Sequence, residues 1–150
     1  MNLTLFTDYS LRTLMYVAVK PKEELSTIEE IAMVYGISRN HLTKAVYRLS
    51  KLGLLQTIRG RHGGFRLAQD PKNINLGWVV RQTEENWNMV ECFDEESGFC
   101  ILNPACRLKG VLAKAMNAYF EVLNNVTLQD LLMDRRQFQT IIEKPANTTK

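Results

Sequence analysis

The segment from residue 26 to residue 68 most constrains the fold, because it predicts two short helices, a tight turn and a hairpin in close succession. In each helix an apolar residue recurs every three or four positions, and Gly36 followed by Ser38 marks the turn between them. Leu42 and Leu49 lie on the predicted buried side of the second helix. Its opposite side carries polar and aromatic groups at the same spacing: Asn40, Lys44, Tyr47, Arg48 and Lys51.

A hairpin follows directly, with strands predicted at residues 54–58 and 65–67. Its turn holds three glycines, which allow tight backbone folding, and three basic side chains. Another helix with an apolar stripe precedes the pair, and Pro21 ends it. Three helices followed by a two-stranded hairpin form a winged helix-turn-helix. The sequence therefore predicts a mainly α fold with a small β-hairpin wing.

The start of the second predicted helix carries a capping signal. Ser26 and Glu29 have the spacing at which a hydroxyl accepts from the third amide and a carboxylate reaches back. We therefore expect Ser26 to cap this helix, as Ser38 is expected to cap the next one.

Charge is sorted along the chain, although the net charge is only +3. Residues 31–69 contain seven lysines and arginines, both histidines and no acid, whereas residues 84–96 contain six acids and no base. A basic block on a winged helix predicts a polyanion partner, which here is double-stranded DNA. The predicted DNA-binding residues lie on the second helix of the pair and on the hairpin turn: Ser38, Arg39, Asn40, His41, Lys44, Arg48, Arg59, Arg61 and His62.

Three cysteines, at positions 92, 100 and 106, are the only thiols of the chain. An odd number of clustered cysteines without a secretory signal argues against a disulfide framework and favours metal ligation or redox chemistry. The spacing matches neither a zinc ribbon nor a ferredoxin, so a fourth ligand has to come from elsewhere. A zinc-stabilised DNA-binding protein and an enzyme with a cysteine nucleophile are the alternatives from other classes. No histidine lies near the cysteines in sequence, so we expect no catalysis.

A long helix is predicted from about Ala105 to Asn124, and its apolar surface is wider than one neighbouring helix would need. Because a winged helix usually reads a palindrome as a pair, we expect this helix to form the seam of a homodimer.

Taken together, these motifs resemble the Rrf-type winged-helix transcriptional regulators, and most closely their nitric-oxide-sensing iron–sulfur repressors. The resemblance covers residues 3–132, nearly the whole chain. It is carried by the segments Thr7–Arg12, Ile37–Leu42, Ile58–Ala68, Val90–Asp94 and Tyr119–Leu131.

The resemblance implies a homodimer that binds a palindromic DNA operator and holds an iron–sulfur cluster through Cys92, Cys100 and Cys106. Another branch of the family uses a histidine three positions after the last cysteine as the fourth ligand, but Lys109 stands there. The nitric-oxide branch uses an N-terminal aspartate of the partner subunit, which matches Asp8. The resemblance favours a 4Fe-4S over a 2Fe-2S cluster, which residue types do not distinguish. Three other carboxylates remain alternative ligands: Glu85, Glu91 and Asp94.

With this resemblance the chain divides into four predicted segments. Residues 1–70 form the winged helix-turn-helix domain, and residues 71–107 form a connecting helix and a cysteine-rich cluster loop. Residues 108–142 contain the dimerisation helix and a short terminal helix, and residues 143–150 form a disordered tail.

Nitric oxide is the expected effector, and a sensor of iron supply or redox state within the same family is the alternative. No apolar run reaches the roughly 20 residues of a membrane span. We therefore expect a cytoplasmic protein without a membrane partner.

Overall fold

The computed structural model describes residues 2–88, 90–94, 100–102, 105–132 and 135–143. Within these ranges the helices and strands are α1 (Leu5–Val19), α2 (Ile28–Tyr35), α3 (Arg39–Lys51), β1 (Leu55–Ile58), β2 (Gly64–Leu67), α4 (Leu76–Thr83), α5 (Arg107–Asn124) and α6 (Arg135–Glu143). Short 3₁₀ turns that lie wholly within the described ranges occupy Pro71–Asn73, Glu91–Phe93 and Asp130–Leu132. The predicted mainly α fold with a hairpin wing is confirmed.

Local capping explains where several helices begin. Ser38 caps α3 by accepting from the amide of His41, and Asn75 caps α4 by accepting from the amide of Trp78 at 2.9 Å. Gly36 follows α2 with a φ of +66°, a left-handed conformation that glycine adopts without a steric penalty.

The predicted cap of α2 is wrong by one residue. The capping box is formed by Thr27 and Glu30, not by Ser26 and Glu29. Ser26 instead pairs its backbone with Phe65 of β2, and its buried hydroxyl has no hydrogen-bond partner among the described residues. The sequence contains both spacings, and the backbone pairing with the hairpin decides between them.

The hairpin is antiparallel, with Leu55 opposite Leu67 and Ile58 opposite Gly64. Gly64 lies against the start of α2, where an added Cβ would lie 2.6 Å from the Ser26 carbonyl oxygen. The wing is therefore fixed to the helix pair by close backbone contact and not only by the chain connection.

One hydrophobic core joins the winged helix to the C-terminal part of the chain. Its most deeply buried members come from α1, α2, α3, α4, the hairpin region and the turn after α5: Leu14, Ile31, Leu42, Leu49, Leu54, Phe65, Val79 and Leu128. Each such side chain contributes about 1.5–3 kcal/mol when it is removed from water. The core fixes the rotation of α3 and so decides which of its residues face outward.

A backbone hydrogen bond holds α4 and α5 together at one end, and aromatic and cation–π contacts hold them together at the other. The end of α5 is bonded to the start of α4, where the Leu76 amide donates to the Val126 carbonyl at 3.0 Å. Further along, the Trp87 and Phe120 rings pack edge to face at 4.7 Å, and the Arg81 guanidinium lies 3.9 Å from the Phe120 centroid. These contacts use one side of α5 and leave its other side exposed.

None of the helices in the described part of the chain has the length and apolar character that crossing a bilayer requires. The predicted disordered tail, apart from its first residue, lies outside the described residues.

Candidate DNA interface and metal-binding segment

The outer face of α3 is an exposed row of polar groups. Leu42, Ala45, Val46 and Leu49 are buried, so the opposite side of the helix projects into solvent. Asn40 and Lys44 are exposed one turn apart, as the sequence predicted. An amide and an ammonium group at this spacing can reach base edges and phosphates when a helix enters a major groove.

The first turn of α3 is organised around its cap. The Ser38 hydroxyl lies 2.9 Å from Nδ1 of His41, and the His41 ring lies 5.7 Å from the ring of Tyr9 in α1. Both Ser38 and His41 are exposed. The predicted DNA-binding residues at this end of the helix are therefore held in place by a cap and a ring contact.

Arg39 forms an ion pair with Glu29 of α2, and both side chains are more than half exposed. An exposed ion pair contributes only about 0.2–1 kcal/mol. Arg39 can therefore exchange the carboxylate for a phosphate at small cost.

The hairpin turn carries Arg59, Arg61 and His62, all exposed as predicted. Gly60 has a φ of +123°, a backbone conformation that residues other than glycine rarely adopt. A Cβ on Gly63 would collide with the Ile58 carbonyl oxygen. The glycines thus permit a compact turn that presents cations at its tip.

Arg48 lies on the exposed side of α3 but is bound within the chain. Its Nε and Nη2 donate to the carbonyl oxygen of Gln82 at 3.2 and 2.9 Å. Gln82 belongs to the last turn of α4, where backbone carbonyls have no amide of the same helix to accept from. The sequence pattern gave no sign of this contact, because it joins positions 34 residues apart.

The predicted DNA-binding residues do not include Tyr47, because charge is the main signal for that set. Tyr47 is 64% exposed on the same face of α3, with the Lys51 ammonium 5.6 Å from its ring centroid. Its helical spacing from Lys44 is the signal that would have found it.

The three cysteines are all free thiols, and their environments differ. Cys92 lies half-buried in the turn Glu91–Phe93, Cys100 is exposed, and half-buried Cys106 immediately precedes α5. The Cys106 side chain makes no capping hydrogen bond to the helix that it precedes. Cysteines bind metal ions as thiolates.

Asp8 lies in the first turn of α1, where it is paired with Arg12. The Arg12 Nε and Nη2 donate to the two carboxylate oxygens at 3.0 and 2.9 Å, and both side chains are more than a third exposed. A pair four residues apart on a helix surface contributes about 0.3–0.5 kcal/mol, so Arg12 holds the carboxylate without preventing its use as a ligand. Arg12 also lies 5.9 Å from the ring of Tyr35, whose pKa burial raises to about 12.

In the described segments, no three histidine, cysteine or carboxylate side chains are close enough together to hold a metal ion. One chain does not by itself bring Cys92, Cys100, Cys106 and Asp8 to one point there. The alternative carboxylates are spread as well: exposed Glu85 follows α4, whereas Glu91 and Asp94 flank Cys92. The donor types nevertheless fit an iron–sulfur cluster, because thiolates are soft ligands and a carboxylate is an exchangeable one.

The outward face of α5 is apolar. No residue of α5 is buried, and three large aliphatic side chains on its outer face, Leu108, Val111 and Val122, are each more than 60% exposed. With Ala115 and Ala118 they follow an alternating spacing of three and four residues, the pattern of a helix–helix seam.

A recognition helix with exposed donors, a cationic wing and a core that continues into the C-terminal helices are features of the winged-helix transcriptional regulators. The family model described as "Rrf2: Iron-dependent Transcriptional regulator" matches residues 3–134. The chain belongs to the Rrf2 family and is a DNA-binding transcriptional regulator.

Individual relatives agree with this assignment. The chain is 54% identical to the HTH-type transcriptional regulator NsrR of Halalkalibacterium halodurans, covering 95% of this chain and 98% of the relative. It is 49% identical to the regulator of the same name from Bacillus subtilis, again over 95% and 98%.

Solved structures agree as well. The cysteine regulator CymR of B. subtilis superimposes with a TM-score of 0.71 at 28% identity, over 87% of this chain and 95% of CymR. T. potens IscR gives a TM-score of 0.71 at 26% identity, over 93% and 91%. The predicted family and fold are thereby confirmed.

Proposed function

We propose that this chain is a homodimeric repressor that senses nitric oxide through an iron–sulfur cluster. The cluster would be held by Cys92, Cys100, Cys106 and Asp8 of the partner subunit. The observation that carries the proposal is the set of three free thiols, the last of which directly precedes α5, in a chain about half identical to regulators named NsrR.

The donor set fits an iron–sulfur cluster with one oxygen ligand, and the family resemblance favours the 4Fe-4S form. When bound, such a cluster supplies the irons with which nitric oxide reacts. Cys106 contributes a thiol at the start of α5, and Asp8 contributes a carboxylate that exchanges more readily than a thiolate. Asp8 would leave Arg12 to bind iron and return to it when the bond is lost.

Dimerisation through α5 would place the two halves of this site together. The exposed stripe from Leu108 to Val122 presents apolar side chains that a second copy of α5 can cover. Since one chain does not gather the four ligands in its described residues, a ligand from the partner fits the arrangement.

The DNA partner would be a palindromic double-stranded operator, which two copies of α3 and two hairpins would contact. The exposed groups proposed to contact it are Ser38, Arg39, Asn40, His41, Lys44, Arg59, Arg61 and His62. Arg48 is left out of this set because its guanidinium already binds the Gln82 carbonyl oxygen.

The proposal is tested by purifying the protein without oxygen and measuring iron, sulfide and the visible absorption spectrum during a nitric oxide titration. Operator binding is followed in parallel by fluorescence anisotropy. The duplex is first selected from a random library by the iron-loaded protein. We expect a coloured protein that bleaches in proportion to nitric oxide and loses operator affinity at the same stoichiometry. A colourless protein that contains zinc would exclude the proposed sensing function but would leave the assignment of the winged helix unchanged.

Asp8→Ala tests the fourth ligand, with the exposed acid variant Glu23→Ala as its control. We expect Asp8→Ala to hold iron less firmly and to lose the difference in operator affinity between the untreated and nitric-oxide-treated forms. Glu23→Ala should behave as the wild type. A wild-type response in Asp8→Ala would exclude Asp8 as a ligand.

A sensor of iron supply is the second candidate, and the description of the family as iron-dependent favours it. The same anisotropy assay separates the two. An iron sensor would release the operator when a chelator removes iron and would be insensitive to nitric oxide at one equivalent per cluster.

A further inference from the structure

We propose that Arg48 is a positioning residue that couples the ligand-bearing start of α1 to the recognition helix α3, and that it is not a DNA contact. This inference rests on the proposed function, because it concerns how a change at Asp8 reaches α3.

The first link joins α3 to the end of α4. Two N–H groups of the Arg48 guanidinium converge on one carbonyl oxygen, that of Gln82, at 2.9 and 3.2 Å. The acceptor belongs to the last turn of α4, where unpaired carbonyls and the helix dipole favour a cation. A fork with two fixed donors defines the orientation of the two helices more closely than a flexible ammonium group would.

The second link joins the end of α4 to the start of α1. Thr83, the neighbour of Gln82, receives a hydrogen bond at 3.0 Å from the hydroxyl of Thr7, and both threonines are buried. Glu84 accepts from the amide and hydroxyl of Thr4 at 2.7 and 3.0 Å. Gln82, Thr83 and Glu84 are consecutive and are here called the junction. The junction therefore contacts α3 on one side and the start of α1 on the other.

The position of this junction suggests its role. Thr7 directly precedes Asp8, and Glu84 opens the acidic segment that leads to Cys92. A displacement of the first turn of α1 on gain or loss of the Asp8 ligand is passed through Thr83 and Gln82 to Arg48. The apolar contacts between α1 and α3 are non-directional and tolerate small shifts, whereas the hydrogen bonds of the junction do not.

The test compares Arg48→Gln with Lys44→Gln, a change of equal charge on the same helix. Binding to the selected operator duplex is measured against salt concentration for the iron-loaded and the nitric-oxide-treated protein. A phosphate contact contributes about 0.9 to the slope of log K against log salt. We expect Lys44→Gln to reduce this slope by about that amount and to weaken both forms equally.

For Arg48→Gln we expect an unchanged salt slope and a loss of most of the affinity ratio between the two forms, which for coupled sites is typically about 5- to 150-fold. Arg48→Lys keeps the charge but not the fork, and we expect it to show the same loss. A slope reduced by about one with the ratio intact would make Arg48 a DNA contact and overturn the proposal. No change in either quantity would overturn it as well.

Hydrogen exchange of the iron-free protein gives a readout that does not depend on sensing. Arg48→Gln should speed exchange of the amides at the end of α4 and the start of α1, and Lys44→Gln should not. Wild-type exchange there in Arg48→Gln would overturn the proposal. A wild-type protein with the same operator affinity in both forms would instead disprove the proposed function, and the exchange experiment would then decide the role of Arg48.

Discussion

At the scale of single residues, the hydrogen bond between Thr7 and Thr83 shows how a polar group is satisfied inside this core. Both side chains are almost completely buried, and the Thr83 hydroxyl also lies 3.0 Å from the Val79 carbonyl oxygen. An unpaired hydroxyl at this depth is costly, because water cannot replace the lost partner. The pair therefore stabilises the junction only while both members are present.

We predict that Thr83→Val, which keeps the shape and removes the hydroxyl, lowers the free energy of unfolding by about 1–3 kcal/mol. The reason is that the Thr7 hydroxyl loses its buried acceptor. Chemical denaturation of the iron-free protein measures this.

The matched control is Thr140→Val, because Thr140 also donates to the carbonyl four residues before it but is exposed on α6. Its effect should stay within about 0.5 kcal/mol, as is usual for surface positions. Equal effects at the two sites would show that the buried pair has no special value.

Single residues also show what the sequence can predict. The cap Ser38 was recognisable because a capping residue and the amide that it binds lie three positions apart. The choice of Thr27 over Ser26 was not, because pairing with Phe65 decides it. The bond from Arg48 to Gln82 likewise depends on packing between distant segments, so local spacing contains no trace of it.

At the scale of elements, α5 was predicted correctly as one long helix whose apolar surface exceeds the need of one neighbour. The structure divides this surface. On its inner side, Phe120 contacts Arg81 of α4 and Tyr119 faces the Trp87 ring that follows α4, whereas its outer side is exposed at Val111 and Val122. Periodicity alone could not assign residues to the two sides, because that division depends on where α4 lies.

We predict that Val111→Glu converts the proposed dimer into a monomer. A carboxylate within the outer stripe would have to be buried in the seam without a partner. The free-energy cost of this burial exceeds the free energy that apolar contact at this position contributes to the seam. Sedimentation velocity of the iron-free protein measures the change in mass.

Lys114→Glu introduces the same side chain on the same helix, at an exposed position beside the stripe. We expect it to remain a dimer. If Val111→Glu also sedimented as a dimer, the outer face of α5 would not be the seam.

Two helical glycines provide a second test at this scale. A Cβ on Gly77 would collide with the Asn124 side chain at the end of α5, whereas a Cβ on Gly110 meets nothing within 4 Å. Alanine improves helix propensity by up to about 1 kcal/mol at either position. We predict that Gly110→Ala raises the melting temperature and Gly77→Ala lowers it. A rise for both variants would show that α4 and α5 are not packed closely at Gly77.

At the scale of the whole molecule, charge and shape act together. The acid-free segment 31–69 forms α3 and the wing, whereas the acidic segment follows α4 and leads to the cysteines. One part of the chain is thus suited to attract DNA, and the other carries the groups proposed to respond to a signal. The sequence revealed this division directly, because charge sorting needs no knowledge of packing. The hydrogen bonds through which we propose that the two parts are coupled join distant segments and are seen only in the folded chain.

The distance between the two recognition helices of the proposed dimer has to match the spacing of the major grooves in DNA. Two copies of α3 can enter successive major grooves only if the half-sites lie about 34 Å apart along the duplex. The proposed seam along α5 would fix that separation, because the Arg81–Phe120 contact and the bond from the Leu76 amide to the Val126 carbonyl attach the α5 segment to α4 of its own winged helix.

Inserting about five base pairs at the centre of the operator turns one half-site to the opposite side of the duplex, because one helical turn contains about 10 base pairs. We predict that the affinity then falls to that of non-specific DNA, which is typically at least about 10³-fold weaker. The same insertion outside the palindrome should leave the affinity unchanged in an anisotropy titration at constant salt. A dimer that tolerated the central insertion would hold its winged helices on a flexible connection. A shift at Asp8 could then not regulate binding through their spacing, and the signal would have to act on the contacts of each α3 separately.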